Sequence, residues 1–487
     1  MFEKDTIAAI ATGMTESGIG IIRISGNEAI KIGDKIFRSP SGKKILTLVQ
    51  SHRMYYGNIV ESFNNKETVV DEAMIVVMKA PRSYTAEDTV EIQCHGGVLL
   101  MRKILEIVLR NGARLAEPGE FSKRAFLNGR MDLSEAEAVM DLIHAKNEVS
   151  LQSSIRQLKG SVSDKVKSLR EKIIYEIAFI ESALDDPEHI SLDHYEEHLN
   201  NVLEEMLAEL NRLLLSAKNG KIIKDGITTV IVGKPNAGKS SLLNRLIGEE
   251  KAIVTDIAGT TRDVLEEQIN LNGITLNLID TAGIRSTEDK VEKIGVEKAK
   301  KYAGDADLII YVVDSSVPLD ENDKEIMRLI GKKKSIVLFN KSDLDTVVRE
   351  EDIYPYFFDD HNNKIDTEEG KTLIGTAMKQ KPLTIIKTSM KDETGMEEFE
   401  NAVKEMFFQG EISFEHEIII TNIRHKELLE NTLISLLEVK ISLNNHMPED
   451  FLSIDLMNAY ASLGRIIGEE VDDDLMDEIF QKFCLGK

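Results

Sequence analysis

A run of β-branched and apolar residues, Ile227–Val232, ends in Gly233-Lys-Pro-Asn-Ala-Gly-Lys239-Ser240 and opens onto the helical stretch Ser241–Ile247. A strand that breaks at glycine and passes straight into a helix predicts an α/β unit built on a parallel sheet. The glycines let main-chain N–H groups turn inward around an anion, and the helix start adds the positive end of its dipole. In this setting G-x-x-x-x-G-K-S reads as a phosphate-binding loop, in which Lys239 would reach the β- and γ-phosphates and the Ser240 hydroxyl would hold Mg²⁺. Asn236, Ala237, Gly238 and Ser241 belong to the same expected contact set.

Three further segments fall where such a sheet would place them. Asn340-Lys341-Ser-Asp343 follows the strand Ile336–Phe339. A carboxylate at Asp343 can accept from both the ring N–H and the exocyclic amine of guanine; adenine offers no such pair, so the motif predicts GTP and GDP over ATP. Ser389-Met390-Lys391 follows the strand Thr384–Lys387 and would cover the guanine ring. Asp280-Thr281-Ala282-Gly283 follows the strand Thr275–Ile279; its aspartate would hold a Mg²⁺-bound water and the Gly283 N–H the γ-phosphate. Between this segment and the loop lies Thr255-Asp-Ile257-Ala-Gly-Thr260-Thr261-Arg262-Asp263. A threonine here, Thr261 in the expected set, could ligate Mg²⁺ only while the γ-phosphate is present, giving an ordered-to-loose switch on hydrolysis. Ile284 stands where many GTPases carry a water-orienting glutamine, and it cannot hydrogen-bond. Hydrolysis must recruit another polar group and another positive charge. Arg262 and Arg285 are near in sequence but read equally well as surface arginines.

Length and composition frame this unit. A chain of 487 residues has room for about three domains. Residues 1–130 alternate β-like runs with glycine turns around one helical stretch, Val98–Arg110, and predict an α+β domain. Ser134 with Glu137 makes a capping-box pattern. Apolar residues at 155, 158, 162, 166, 169, 173, 177, 180 and 184 keep a helical period and predict one long amphipathic helix. Helical patterns run on to Asn219-Gly220 and return after Gly410, notably in Arg424–Ile441 and Leu456–Ile467. The reading is a helical domain interrupted by the α/β module: 1–130, 131–221, 222–409 and 410–487. Asp345–Gln380 is polar, acidic and weakly periodic, as a partly disordered surface insertion would be.

The net charge of −24 argues against a generally adhesive polyanion binder. With only Cys94 and Cys484, a disulfide framework or cysteine zinc site is unsupported and a reducing compartment fits. No signal-peptide pattern and no long apolar run occur, so the expectation is a cytoplasmic protein with no membrane span.

The loop run 233–244, Thr255–Asp263 and Asp280–Arg285 resemble the tRNA modification GTPases of the MnmE or TrmE family, and so do Gly119–Arg130, Gln93-Cys-His-Gly-Gly97 and the terminal Phe483-Cys-Leu-Gly-Lys487. The last three are specific to that family. The resemblance implies a multidomain fold: an α+β N-terminal folate-binding domain, an α-helical bundle domain from both flanks, and an inserted α/β P-loop GTPase domain. It implies a homodimer through the N-terminal domain and an FAD-dependent MnmG/GidA-type partner, the two forming a heterotetramer. Together these would add an aminomethyl-type group to the wobble uridine of tRNA, with 5-formyl- or methylene-tetrahydrofolate supplying the one-carbon unit. It also implies a K⁺ ion, held by Asn236, Thr255, Ile257 and Thr260, that replaces the missing positive charge as two G domains pair, and Glu292 as the group activating water. Arg23, Glu91, Arg130 and Lys487 match folate-binding positions, and Cys484 a catalytic one. Read without the family, each is better explained as a structural or surface residue, Cys484 as a small buried hydrophobe and His95 as a turn histidine.

Two other functions compete. A ribosome-assembly GTPase of the Era/EngA type would need a basic RNA-binding module, which the acidic C-terminal segment does not offer. A folate-dependent aminomethyl transferase with a merely regulatory G domain would tolerate loss of Lys239.

Overall fold

The computed structural model describes residues 5–40, 46–64, 66–186, 188–189, 194–249, 267–271, 273–279, 306–330, 333–357, 383–392, 394–408, 418–469, 471, 473–483 and 486. Two compact units result: Met1–Ile143 with Ile155–Leu207 and Leu428–Lys487, and His144–Ser154 with Ala208–Glu427.

The first unit opens with β1 (Ile7–Ile10), β2 (Ser17–Ser25), β3 (Phe37–Arg38), β4 (Arg53–Phe63), β5 (Lys66–Met78), β6 (Thr89–Gly96) and β7 (Arg114–Leu115). They form one sheet in the order β3-β4-β5-β6-β2-β1-β7. Strand alternation sends Ile22, Ile24, Ile75, Val77, Val90 and Ile92 to a buried face, where α1 (Ala29–Ile36) and α2 (Val98–Arg110) add their apolar residues to the same core. The register that pairs Arg23 with Glu91, Met74 with Gln93 and Tyr56 with Met74 puts these side chains on the opposite face, where Tyr56 and Met74 are exposed. The sequence predicted a single helix in this region. The structure adds α1 and α3 (Glu120–Leu127), each only two turns long and too short for a helical period to stand out.

The helical part corrects three expectations. The capping box of α4 (Leu133–His144) is Asp132 with Glu135, not Ser134 with Glu137. Asp132 Oδ1 accepts from the Glu135 N–H at 3.0 Å, Glu135 Oε2 accepts from the Asp132 N–H at 2.9 Å, and the Ser134 hydroxyl donates to Asp132. The long amphipathic helix is two helices, α5 (Glu148–Leu158) and α6 (Ser161–Asp185), broken where Gly160 takes φ of 90°. Val162, Val166, Leu169, Ile173, Ile177 and Ile180 are buried as the period requires, while Leu184 is exposed. Finally, α7 (Tyr195–Asp225) runs straight through Asn219-Gly220 and ends before Gly226, which has φ of 84°. Gly220 is there for close approach: a Cβ on it would lie 1.9 Å from the Ile420 carbonyl oxygen.

The second unit holds β8 (Ile227–Val232), α8 (Lys239–Glu249), β9 (Glu267–Leu271), β10 (Ile274–Leu278), β11 (Leu308–Asp314), α9 (Glu321–Ile330), β12 (Ser335–Asn340) and β13 (Leu383–Lys387). The sheet order is β13-β12-β11-β8-β10-β9, parallel throughout except for the β9–β10 pair. Successive residues of β11 are buried on opposite faces, Leu308, Ile310 and Val312 on one and Ile309, Tyr311 and Val313 on the other, as a parallel sheet covered on both sides demands. Asp314 pairs in register with Asn340, so β11 and β12 end level at the carboxyl edge. That edge is where doubly wound folds bind ligands. The stretch read as a polar insertion is described as far as Phe357, and there Val348 and Ile353 are buried in the sheet's core. Two apolar residues among charges show no period, which hid this; residues 358–380 lie outside the described residues. Among the described residues, no helix is long and apolar enough to cross a membrane.

Candidate nucleotide site

The loop after β8 is shaped by backbone conformations that its residues were suited to adopt. Gly233 has φ of 148° and a Cβ there would meet the Val312 carbonyl at 2.3 Å, so only glycine lets the loop leave the sheet this way. Asn236 is exposed and left-handed at φ 61°. Gly238 has φ of 106°, and its missing Cβ makes room for the Asn340 amide. Ala237 is buried, Ser240 and Ser241 are exposed at the start of α8, and the Lys239 ammonium donates to the carbonyls of Gly233 at 2.8 Å and Lys234 at 2.5 Å.

Asn340, at the end of β12, joins this loop to the guanine-reading segments. Its Nδ2 donates to the Ala237 carbonyl at 2.8 Å and its Oδ1 accepts from the Met390 N–H at 3.2 Å. The Ser389 hydroxyl donates to Asp343 at 2.9 Å, leaving Asp343 exposed and free to use its other oxygen. Lys341, left-handed at φ 61°, donates to Asp314 Oδ2 at 2.5 Å. Burial would raise the Asp314 pKa, but Lys341 and the Ser316 hydroxyl and N–H hold it below the ordinary carboxylate range. Lys391 is exposed on the turn after β13. Asn236, Ala237 and Gly238 on the loop and Lys239, Ser240 and Ser241 in the first turn of α8 thus sit together, tied through Asn340 to Lys341, Asp343, Ser389 and Met390. Thr255, Ile257, Thr260, Thr261, Arg262, Asp280, Thr281, Ala282, Gly283, Ile284, Arg285 and Glu292 lie outside the described residues, as do Cys484 and Lys487.

Sequence reasoning missed Lys234, which sits at a variable position of the loop motif. Its ammonium lies 2.5 Å from Asp323 and 3.1 Å from Asp320. The pattern Asp320-x-x-Asp323 ahead of a helical run was the available signal.

A second cluster occupies the outer face of the N-terminal sheet. Arg23 Nε donates to Glu91 at 2.8 Å, and Arg23 Nη1 to the Gly486 carbonyl at 3.4 Å. The Arg23 and Arg130 guanidinium groups lie 5.3 Å and 5.0 Å from the centre of the Tyr84 ring. Arg130 also donates to the Tyr84 carbonyl at 3.1 Å, and the Tyr84 hydroxyl shares a 2.7 Å hydrogen bond with Ser122. Tyr84 was not singled out from the sequence, where a tyrosine in a loop carries no pattern. Cys94 is buried; desolvation, with help from Asp71, pushes its thiol up to about 11, so it is no nucleophile at neutral pH. His95 is exposed, with Nδ1 held 2.7 Å from Asp71.

The family model described as the MnmE helical domain matches residues 133–484, and that of the GTP-binding protein TrmE N-terminus matches 6–130. The chain belongs to the MnmE family of tRNA modification GTPases. The tRNA modification GTPase MnmE of Lachnoclostridium phytofermentans is 54% identical over 485 residues, that of Acetivibrio thermocellus 48% over 491 and that of Clostridioides difficile 46% over 488, each match covering all of both chains. The fold is that of a multidomain MnmE: an α+β N-terminal domain, a helical domain and an inserted α/β GTPase domain. As a member of that family, the chain is a GTP hydrolase acting in tRNA modification.

Proposed function

We propose that this GTPase is activated by K⁺ and, with an FAD-dependent MnmG/GidA-type partner, installs an aminomethyl-type group on the wobble uridine of tRNA from a tetrahydrofolate one-carbon unit. The observation that carries the reading is the packing of Arg23 and Arg130 against Tyr84, with Glu91 paired to Arg23 and the Gly486 carbonyl beside it. A pterin needs paired donors and acceptors beside a flat surface, and a glutamyl tail needs a cation. A guanidinium–carboxylate pair against an aromatic ring, with a second arginine, fits both needs. Lys487 would complete the folate site and Cys484 would act beside it.

In the G domain, Asn236, Ala237, Gly238, Lys239, Ser240 and Ser241 hold the phosphates, Ser240 and Thr261 hold Mg²⁺, and Asn340, Lys341, Asp343, Ser389, Met390 and Lys391 enclose the guanine. Thr255, Thr260, Thr261, Asp280, Thr281, Ala282 and Gly283 surround the γ-phosphate. K⁺ supplies positive charge for the phosphate oxygens where Ile284 offers nothing, with Asn236, Thr255, Ile257 and Thr260 as its ligands. The exposed left-handed position of Asn236 supports a ligand role. Glu292 orients and deprotonates water. The exposed Met54, Tyr56 and Met74 on the outer sheet face support a homodimer through the N-terminal domain.

Mass spectrometry of wobble nucleosides from a strain carrying only Lys239→Ala tests the reading. Modified uridine should disappear; normal modification would mean that the G domain is merely regulatory.

A further inference from the structure

We propose that Lys234 is a positioning residue for the phosphate loop, and that Asp323, at the capped start of α9, is the group that holds it. The proposal rests on reading Gly233–Ser240 as that loop.

Lys234 is tied on two sides. Its carbonyl accepts from the Lys239 ammonium, so any shift of residue 234 moves an acceptor that aims Lys239. Its own ammonium lies 2.5 Å from Asp323 Oδ2 and 3.1 Å from Asp320 Oδ2. Burial alone would lower the Lys234 pKa, but the two carboxylates hold it above the ordinary value.

The anchor is fixed from behind. The Asp323 side chain is 1% exposed, its Oδ1 accepts from the Tyr311 hydroxyl at 2.7 Å, and Oδ2 accepts from the Asp320 N–H at 3.0 Å. Asp320 Oδ1 in turn accepts from the Asp323 N–H at 3.1 Å, completing a reciprocal cap. Tyr311 is fully buried in β11. A path of short hydrogen bonds therefore runs from the centre of the sheet through Asp323 to Lys234 and on to Lys239. Exposed ion pairs are weak and interchangeable. This one is different, because removing the lysine strands a buried carboxylate.

The test must separate positioning of phosphate from general stability. The full chain, with Mg²⁺, is titrated with GMP and GDP in competition with a fluorescent guanine nucleotide; the ratio of the two affinities isolates the β-phosphate. In Lys234→Met that ratio should shrink by about tenfold through weaker GDP binding alone, and Lys234→Arg should restore it. An unchanged ratio, whether or not both affinities fall together, overturns the proposal. Should Lys234→Met fail to fold, Asp323→Asn serves, since it keeps the side chain's size but removes the charge that holds Lys234. It should reduce the ratio by about twofold, and no reduction overturns the proposal. A GMP-to-GDP ratio that survives Lys239→Ala would instead overturn the phosphate-loop reading itself.

Discussion

The side-chain amide of Asn340 donates to the carbonyl of Ala237 across 2.8 Å, although the two residues are 103 positions apart. With the Met390 N–H bonded to its other atom, this single buried carboxamide joins the phosphate loop to both guanine-reading segments.

Asn340→Ala would leave the Ala237 carbonyl and the Met390 N–H without their partner. An orphaned buried group costs about 1–3 kcal/mol, which corresponds to GDP affinity lower by about fivefold to a hundredfold. Calorimetry of the full chain checks this. The first unit should melt unchanged.

Gly238→Ala should be worse. The new Cβ would fall 2.0 Å from Asn340 Nδ2, and the residue would be held at φ 106°. Loss of nucleotide binding with retained circular dichroism is the expected outcome.

Much of this site was legible in the sequence. Phosphate and guanine are gripped by main-chain groups and by side chains at fixed offsets from strand ends, so Gly233–Ser240 and Asn340–Asp343 announce themselves. Lys234 and Asp323 did not, because their partnership is made by the packing of β11 and α9 rather than by spacing. Tyr84 was silent for the same reason. Gly220 looked like a helix end because a glycine needed for close approach and one needed for a left-handed turn are the same letter; only the Ile420 carbonyl above it tells them apart.

Acid should loosen the N-terminal domain. Arg114 and Arg124 converge on Asp5 and Glu120 at 2.6–3.0 Å. Burial would raise both carboxyl pKa values, but the arginines hold them below the ordinary range. In the unfolded chain these groups take up protons near pH 4, whereas folded they stay ionised, so their stabilisation is present at neutral pH and lost as pH falls below that point. The melting temperature followed from pH 7 to 3 should drop more steeply in wild type than in Arg124→Met. Parallel curves would contradict the assignment.

Ile284 leaves the hydrolytic water without a glutamine. If K⁺ supplies the missing charge, replacing it by Na⁺ at equal ionic strength should slow GTP turnover by about a hundredfold. Equal rates in the two salts would remove K⁺ from the mechanism.

Titration of the full chain with GDP and with ADP, repeated on Asp343→Asn, bears most directly on the claim that a phosphate loop and a guanine reader act here as one grip. Wild type should bind GDP and ignore ADP, and the variant should prefer xanthosine diphosphate, whose C2 carbonyl oxygen accepts where the guanine amine donates. Equal affinity of the wild-type chain for GDP and ADP would contradict it.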